Sequence, residues 1–197
     1  GFRTDDAGRT TATRVVTEER TLVDGLDLPV TLKTDSYGLY DGWNSSIVVD
    51  GEDHAGFNYN YWSGAGTWTG RGWSAVEVDA AGKVVKKGFF DVYQNGAAEA
   101  DRLAAFIETV PNGNVVLLSV GDEGYKNLNE RAIRAIESLG SDKIRGLGFR
   151  DSFALIGRKG SLRGTAIEDL KKQGEGRAHA ANYHTSYEYF DAELNPI

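Results

Sequence analysis

The chain of 197 residues contains no cysteine and no methionine, and it has only three prolines. The lack of cysteine excludes disulfides, thiol nucleophiles and cysteine-ligated metals. No hydrophobic run approaches the ~20 residues that span a bilayer, so we expect no membrane insertion. The first residue is glycine and no signal peptide opens the chain, so we expect a fragment of a longer protein or a processed start.

Positive charge is also scarce. Lysine and arginine number 22 against 29 aspartates and glutamates, which gives a net charge of −7. Nucleic-acid binding depends on clustered lysines and arginines, so this balance argues against a nucleic-acid partner. The three histidines, His54, His179 and His184, lie too far apart to show metal-ligand spacing. We therefore predict neither a metal site nor a cofactor.

The middle of the chain has the clearest periodicity. Two alternating runs, 74–78 and 83–92, flank a turn that begins with an aspartate and ends with a glycine, which predicts a β-hairpin. Apolar residues then recur at helical spacing until Pro111, which predicts a helix. The nearly continuous apolar run 114–120 predicts a strand that is buried on both faces.

A second helix is predicted after this strand. Asn127 is the expected N-cap and Gly140 the exit, and residues 144–149 are the next expected strand. A strand, a helix and a strand of these lengths predict a parallel crossover. Asp122 and Arg150 would then both lie just past the carboxyl ends of strands, where open α/β sheets bind ligands.

The two ends of the chain differ from its middle. The N-terminal segment contains three runs typical of strands, at 14–23, 28–40 and 45–51, whereas 54–73 is rich in glycine, asparagine and aromatic residues and lacks a period. We expect a projecting hairpin or loop there. A short helix is predicted at 165–173, followed by a polar and aromatic tail. These patterns divide the chain into N-terminal strands and loop (1–69), a core (70–160) and a C-terminal helix and tail (161–197).

Several spaced motifs make the core identifiable. They are "GRG" at 70–72, "FFDVY" at 89–93, "VGDEGYKNLNE" at 120–130, "SLGS" at 138–141 and "LGFRDSFALIGRKG" at 147–160. In this order they resemble the interleukin-like EMT inducer (PANDER-like) domain family. The resemblance covers a little under half of the chain. It implies an α+β globule in which two small, mostly antiparallel sheets pack with two to three helices, here with the extra aromatic hairpin or loop.

The resemblance also implies a function. The family domain occurs in secreted cytokine-like proteins, in surface proteins that degrade hyaluronan and in bacterial and phage proteins, and it is not catalytic by itself. In the stem of the protein O-mannose N-acetylglucosaminyltransferase it is similar to a lectin that holds a β-linked N-acetylglucosamine. There the contacts come from the aspartate of "DEG" and the arginine of "RD", which correspond to Asp122 and Arg150. The secreted animal members carry disulfides, which this chain lacks.

From the residues alone, two interpretations of this charged pair remain open. A carboxylate and a guanidinium can clamp the vicinal hydroxyls of a sugar, because charge strengthens their hydrogen bonds. Alternatively, Arg150 forms an internal ion pair with Asp122 or Asp151 that fastens a turn. The aromatic residues Trp62, Trp68 and Tyr59, together with Tyr61, can form a platform for a sugar ring, or they can fill the core instead.

Catalysis finds little support in the sequence. Asp122 and Glu123 are adjacent, which does not establish the opposed placement that glycoside hydrolysis requires. We therefore predict a non-catalytic, lectin-like carbohydrate-binding domain of a larger surface, secreted or virion protein. Its partner would be a glycan with a terminal sugar of the N-acetylglucosamine type. The alternative is an adhesive or structural protein of a phage tail or virion that binds protein neighbours or a host receptor.

Overall fold

A computed structural model describes residues 2–4, 10–12, 15–22, 26, 28–55, 70–94 and 96–190. Side chains are described up to residue 183, beginning with residue 26. The chain divides into two compact units, Gly1–Val23 with Tyr183–Ile197, and Asp24–Asn182. None of the described helices is both long and apolar enough to cross a membrane.

The described residues form thirteen strands and two α-helices, with one short 3-10 helix. The strands are β1 (Phe2–Thr4), β2 (Thr10–Ala12), β3 (Val15–Leu22), β4 (Leu32–Gly38), β5 (Ser45–Val49), β6 (Glu52–Asp53), β7 (Gly72–Val78), β8 (Val84–Phe90), β9 (Val115–Asp122), β10 (Ser152–Arg158), β11 (Ile167–Lys171), β12 (Ala178–Ala181) and β13 (Tyr183–Phe190). The helices are α1 (Ala97–Glu108) and α2 (Glu130–Glu137), and the 3-10 helix is Ile144–Gly146.

The described residues of the smaller unit form two antiparallel pairs. Strand β1 pairs with β2, and β3 pairs with β13 over eight residues, from Val15 opposite Phe190 to Leu22 opposite Tyr183. The strand predicted around 14–23 is therefore confirmed, as are those that became β4 and β5. Two-stranded sheets of this kind are marginally stable by themselves, so long cross-strand pairing is their main local support.

The larger unit holds nine strands in two antiparallel groups. One group has the order β8, β7, β9, β10, β11, and the other has the order β12, β4, β5, β6. The groups join where the ends of β4 and β9 run parallel, at Tyr37 opposite Gly121 and Gly38 opposite Asp122. The α+β class and the mostly antiparallel pairing predicted from the sequence are confirmed.

Two apolar clusters stabilise this unit. One lies between the five-stranded group and the helices and contains Trp73, Leu103 and Ile136, all of them fully buried. The other brings Leu32 and Ile47 together with inward-facing residues of β7, β9 and β10. Strand β9 takes part in both clusters and is buried at every position, as its continuous apolar run predicted. Strand β9 lies between β7 and β10, at the centre of the five-stranded group.

The parallel crossover predicted after β9 is wrong. Residues 144–149 do not form a strand, because 144–146 turn into the 3-10 helix and the next strand is β10, which pairs antiparallel with β9. The N-cap of α2 is Asn129 rather than Asn127, and its side chain accepts a hydrogen bond of 2.9 Å from the backbone N–H of Ala132. Asn127 instead donates to the backbone of Val92, at 2.7 Å.

The helix predicted at 165–173, and with it the helix assigned to the 161–197 segment, is also wrong. Residues 167–171 form β11, which adds to the edge of the sheet by pairing with β10. Tertiary pairing has outweighed local helix propensity here. Of the predicted aromatic loop at 54–69, residues 56–69 lie outside the described residues.

Candidate ligand-binding site

The chain brings Asp122 and Arg150 to one edge of the sheet. Asp122 is the last residue of β9, and Arg150 lies two residues before β10 begins. Because these strands are antiparallel neighbours, the end of one and the start of the other meet at the same edge. Both residues have left-handed backbone conformations, with φ of 57° and 63°. Such conformations are uncommon for residues other than glycine, although aspartate adopts them more readily than arginine does, and strained ones cluster at functional sites.

Gly38 fixes how closely the backbone segments approach at this edge. It is paired with Asp122 across the short parallel ladder, and a Cβ atom on it would lie only 2.2 Å from the carbonyl oxygen of Arg150. Its N–H donates to the Ser152 hydroxyl at 2.8 Å. A side chain at this position would push the Arg150 turn away from β9, so the glycine is needed for the two charged residues to meet.

Asp122 is buried, and its side chain has no hydrogen-bond partner among the described residues. Its side chain is 7% exposed, and its Oδ1 atom is inaccessible and unpartnered. Burial raises the pKa of Asp122 above its ordinary value, and the positive charges of Arg150 and then Arg71 oppose that rise. A buried carboxylate without donors is costly, so a ligand that supplies hydroxyl donors would be favoured here.

Arg150 is held by aromatic rings rather than by a carboxylate. Its guanidinium carbon lies 4.9 Å from the centre of the Phe149 ring and 5.8 Å from that of Tyr40, and Nη1 is 3.5 Å from the Tyr40 hydroxyl. Its Nε is buried without a partner. Within the described part of the chain, Arg150 makes no ion pair shorter than 4 Å. Asp151 is instead bound by Lys172 at 2.8 Å and by the N–H groups of Gly148 and Gln173.

Glu123 shapes the loop that follows Asp122. It is fully buried, and its Oε1 accepts the backbone N–H groups of Tyr125 at 2.7 Å and Lys126 at 3.0 Å. Burial raises the pKa of Glu123, and these two N–H groups oppose the rise. The backbone N–H of Arg150 also opposes it, although Oε2 has no hydrogen-bond partner of normal geometry. From its buried position, Glu123 therefore stabilises the loop at 123–126 and is not available to a ligand.

A row of aromatic and cationic side chains continues from Arg150. Phe149 is 45% exposed, and its ring centre lies 6.4 Å from that of Tyr93. Tyr93 in turn carries Arg71 at 4.5 Å and Lys126 at 4.1 Å from its ring centre. Arg71 is buried and forms a two-hydrogen-bond pair with Asp91. Within this row the exposed Phe149 ring presents an apolar surface beside the charged pair.

The site therefore differs in part from what the sequence predicted. Asp122 and Arg150 are brought together, whereas Trp62, Trp68 and Tyr59, like Tyr61, lie outside the described residues. Sequence reasoning missed Tyr40 and Phe149, which line the site. Phe149 stands beside the "RD" pair and could have been noticed as an apolar residue at a charged turn. Tyr40 carries no local signal, because it approaches from a hairpin 110 residues away.

His54 and His179 take no part in this site. Nδ1 of His54 lies 3.3 Å from the Lys87 ammonium, and Nδ1 of His179 lies 2.7 Å from buried Asp35. His184 lies on β13, of which only the backbone is described. The described residues contain no group of three or more metal-ligating side chains that could hold an ion.

Comparison with known proteins gives the family of the core. The profile of the Interleukin-like EMT inducer family matches residues 71–161. The Cell migration-inducing and hyaluronan-binding protein of Mus musculus is 33% identical over 116 residues, which are 58% of this chain and 8% of that protein. Protein FAM3C of Rattus norvegicus is 36% identical over 99 residues, which are 50% of this chain and 42% of that protein.

The matched stretch holds every residue of the charged pair and its aromatic row except Tyr40. The chain spans less than half the length of these relatives. The segment 71–161, which contains strands β7 to β10, both helices and the charged pair, belongs to the Interleukin-like EMT inducer family.

Proposed function

We propose that this chain binds a terminal sugar of a glycan, of the N-acetylglucosamine type, through Asp122 and Arg150, and that it does not transform the sugar. One observation carries the proposal. Two residues of opposite charge meet on strained backbone, and each keeps a buried polar atom without a hydrogen-bond partner. Native proteins satisfy nearly all such atoms, so orphaned ones concentrated at one edge favour a ligand that completes them.

The chemistry of the pair suits a saccharide. The carboxylate of Asp122 accepts hydrogen bonds from hydroxyl groups, and the guanidinium of Arg150 donates to hydroxyl or acetamido oxygens. The neighbouring Phe149 ring offers an apolar face to the C–H groups of the same sugar. Because the guanidinium is already planar and stacked on that ring, little of its freedom remains to be lost on binding.

The carboxylates are poorly arranged for hydrolysis. Glycosidases place two carboxyl groups on either side of the scissile bond. Here the second carboxyl group, that of Glu123, is fully buried and already accepts two backbone N–H groups of its own loop. Binding without conversion is the function that this arrangement supports.

The relatives favour the same class of ligand. One of them is named as a hyaluronan-binding protein, and hyaluronan is a polysaccharide. The family itself is named for an interleukin-like protein. Both names support a role outside the cell, as a binding module of a larger secreted or surface protein.

A glycan array probed with the parent chain tests the proposal and identifies the sugar. Losing one charged hydrogen-bonding partner should lower the affinity by about one to two decades, which corresponds to about 1.5–3 kcal/mol. We expect this loss for Asp122→Asn and Arg150→Ala. Arg150→Lys keeps the charge but loses the planar fork, so it should bind more weakly than the parent as well.

Asp50→Asn is the matched control. Asp50 is also an aspartate with a left-handed backbone, with φ of 48°, but it is exposed in the turn after β5. Its variant should give the parent's array profile. A folded Asp122→Asn variant that keeps every glycan of the parent would refute the proposal. A parent chain that binds no glycan would instead favour the adhesive role toward protein neighbours.

A further inference from the structure

The side chain of Lys126 lies beside the sugar site without an ionic partner of its own. Its ammonium is 4.1 Å from the centre of the Tyr93 ring, and its backbone N–H is held by Glu123. It is exposed, and no carboxylate of the described residues lies within 4 Å of it. Glu123 therefore fixes the backbone of Lys126, and the ammonium rests against the Tyr93 ring on an exposed side chain.

The charges around the site are separated by depth. The carboxylates of Asp91, Asp122 and Glu123 are all buried. Asp91 is already bound by Arg71, and burial raises the pKa of each of the other two. The whole chain carries a net charge of −7. At this edge of the sheet, however, the cations Lys126 and Arg150 lie nearer to solvent than the buried carboxylates, and we call these two cations the cationic rim.

The two cations of this rim are connected by the aromatic row. Arg150 stacks on Phe149, Phe149 is followed by Tyr93 at 6.4 Å, and Lys126 lies on Tyr93. If a ligand whose terminal sugar rests against Arg150 and Phe149 continues along the row, its next unit lies beside Tyr93, whose ring is already in contact with Arg71 and Lys126. Any group on that unit would meet the Lys126 ammonium, which donates three hydrogen bonds and accepts none.

We infer that Lys126 and Tyr93 form a second subsite that takes a sugar bearing an acidic group, a carboxylate or a sulfate, next to the terminal sugar. The inference rests on the proposed function, because it assumes that the first sugar is held by Asp122 and Arg150. The ligand class that it names is an acidic oligosaccharide rather than a neutral one. The contact is exposed, so we expect it to contribute a preference of about three- to tenfold.

Isothermal titration with two trisaccharides tests this subsite. One is the hyaluronan trisaccharide that has N-acetylglucosamine at its non-reducing end and glucuronate next. The other is the same trisaccharide with its carboxyl group reduced to an alcohol. The parent should bind the acidic form three- to tenfold more tightly at low salt. The preference should shrink in 1 M NaCl, where the Debye length falls to about 3 Å.

Two lysine variants locate the preference. Lys126→Gln should bind both trisaccharides with the affinity that the parent shows for the neutral one. Lys83→Gln is the control, because Lys83 is exposed beside the turn between β7 and β8, at the far end of the hairpin from Gly72. It should keep the parent's preference.

The possible failures are distinguishable. Equal binding of the two trisaccharides by the parent would overturn the acidic subsite and leave the sugar site standing. A preference that persists in Lys126→Gln would overturn the assignment to Lys126. Absence of binding by both trisaccharides, together with an empty glycan array, would overturn the proposed function itself.

Discussion

Replacing Asp122 with asparagine should weaken ligand binding by about one to two decades without lowering stability. Asparagine keeps the size of the side chain and tolerates the left-handed backbone, so the substitution changes little except the charge. If the pair with Arg150 were a structural salt bridge, removing one partner would cost about 3–5 kcal/mol of unfolding free energy. The structure argues against that cost, because the side chain of Asp122 forms no hydrogen bond or ion pair with any described residue.

The magnitude follows from two opposing contributions. An unpartnered buried polar group costs about 1–3 kcal/mol, and the positive charge of Arg150 offsets part of that for the carboxylate. Asparagine is uncharged, so its burial costs less than that of the carboxylate, but it also lacks the carboxylate's Coulomb attraction to Arg150. At neutral pH we expect the free energy of unfolding to be unchanged or raised by up to about 1 kcal/mol. The pattern is typical of functional residues, which trade stability for activity.

The pH dependence gives a second test of the same variant. Burial raises the pKa of Asp122 in the folded state, so the native protein takes up its proton before the unfolded chain does. The parent therefore gains stability from this group as the pH falls through the raised pKa toward the ordinary value of 3.8. Any advantage of Asp122→Asn should shrink over that window. Urea unfolding of the parent, Asp122→Asn and Asp50→Asn at several pH values measures it, and a loss of 3 kcal/mol or more in Asp122→Asn alone at neutral pH would refute the reasoning.

Three further outcomes are expected. Ile136→Ala should lower the free energy of unfolding by about 2–5 kcal/mol in the same urea assay, because Ile136 is fully buried between α2 and the sheet; an unchanged stability would contradict the placement of α2. Hydrogen bonds from Arg145 and then Arg134 lower the pKa of Glu130 to about 2, so their stabilising effect is present above pH 4.5 and lost as the pH falls toward 2. An NMR titration of Arg145→Ala should accordingly find the pKa of Glu130 closer to 4.5. The double variant Asp122→Asn/Arg150→Ala should lose less glycan affinity than the two single variants together, and strict additivity would show that the two residues bind independently.

Much of the fold could be predicted because its signals are local. The hairpin of β7 and β8, helix α1 and the buried strand β9 each carry their own periodicity and turn residues. The segments 144–149 and 165–173 were misread for the opposite reason. Residues 167–171 become a strand only because β10 offers them an edge to pair with, and no pattern within nine residues can report that edge.

The residues of the site that could be predicted are also those with a local signal in the sequence. Asp122 and Arg150 stand in motifs that match a family, and each lies next to a strand, so both were visible in the sequence. Tyr40 reaches Arg150 from a separate hairpin. Phe149 can be recognised as part of the site only once its ring is seen beside that of Tyr93. Such contacts depend on how the layers pack, and short-range periodicity contains nothing about it.

The site prediction also rested on a wrong topology and still placed Asp122 and Arg150 together. A parallel strand at 144–149 would have ended at Arg150, whereas the real strand β10 starts just after it and runs the other way. Either path puts Arg150 at the edge where β9 ends, because the residue at a strand's end marks an edge of the sheet whichever way the chain runs. What the pattern could not supply was the backbone conformation there. Both residues adopt left-handed angles, which cost about 1–2 kcal/mol each for L-amino acids, and both keep unpartnered atoms. A well-packed sheet can hold such a strained backbone. The strained angles and the unpartnered polar atoms occur together at one edge, where a bound ligand would supply the missing hydrogen bonds.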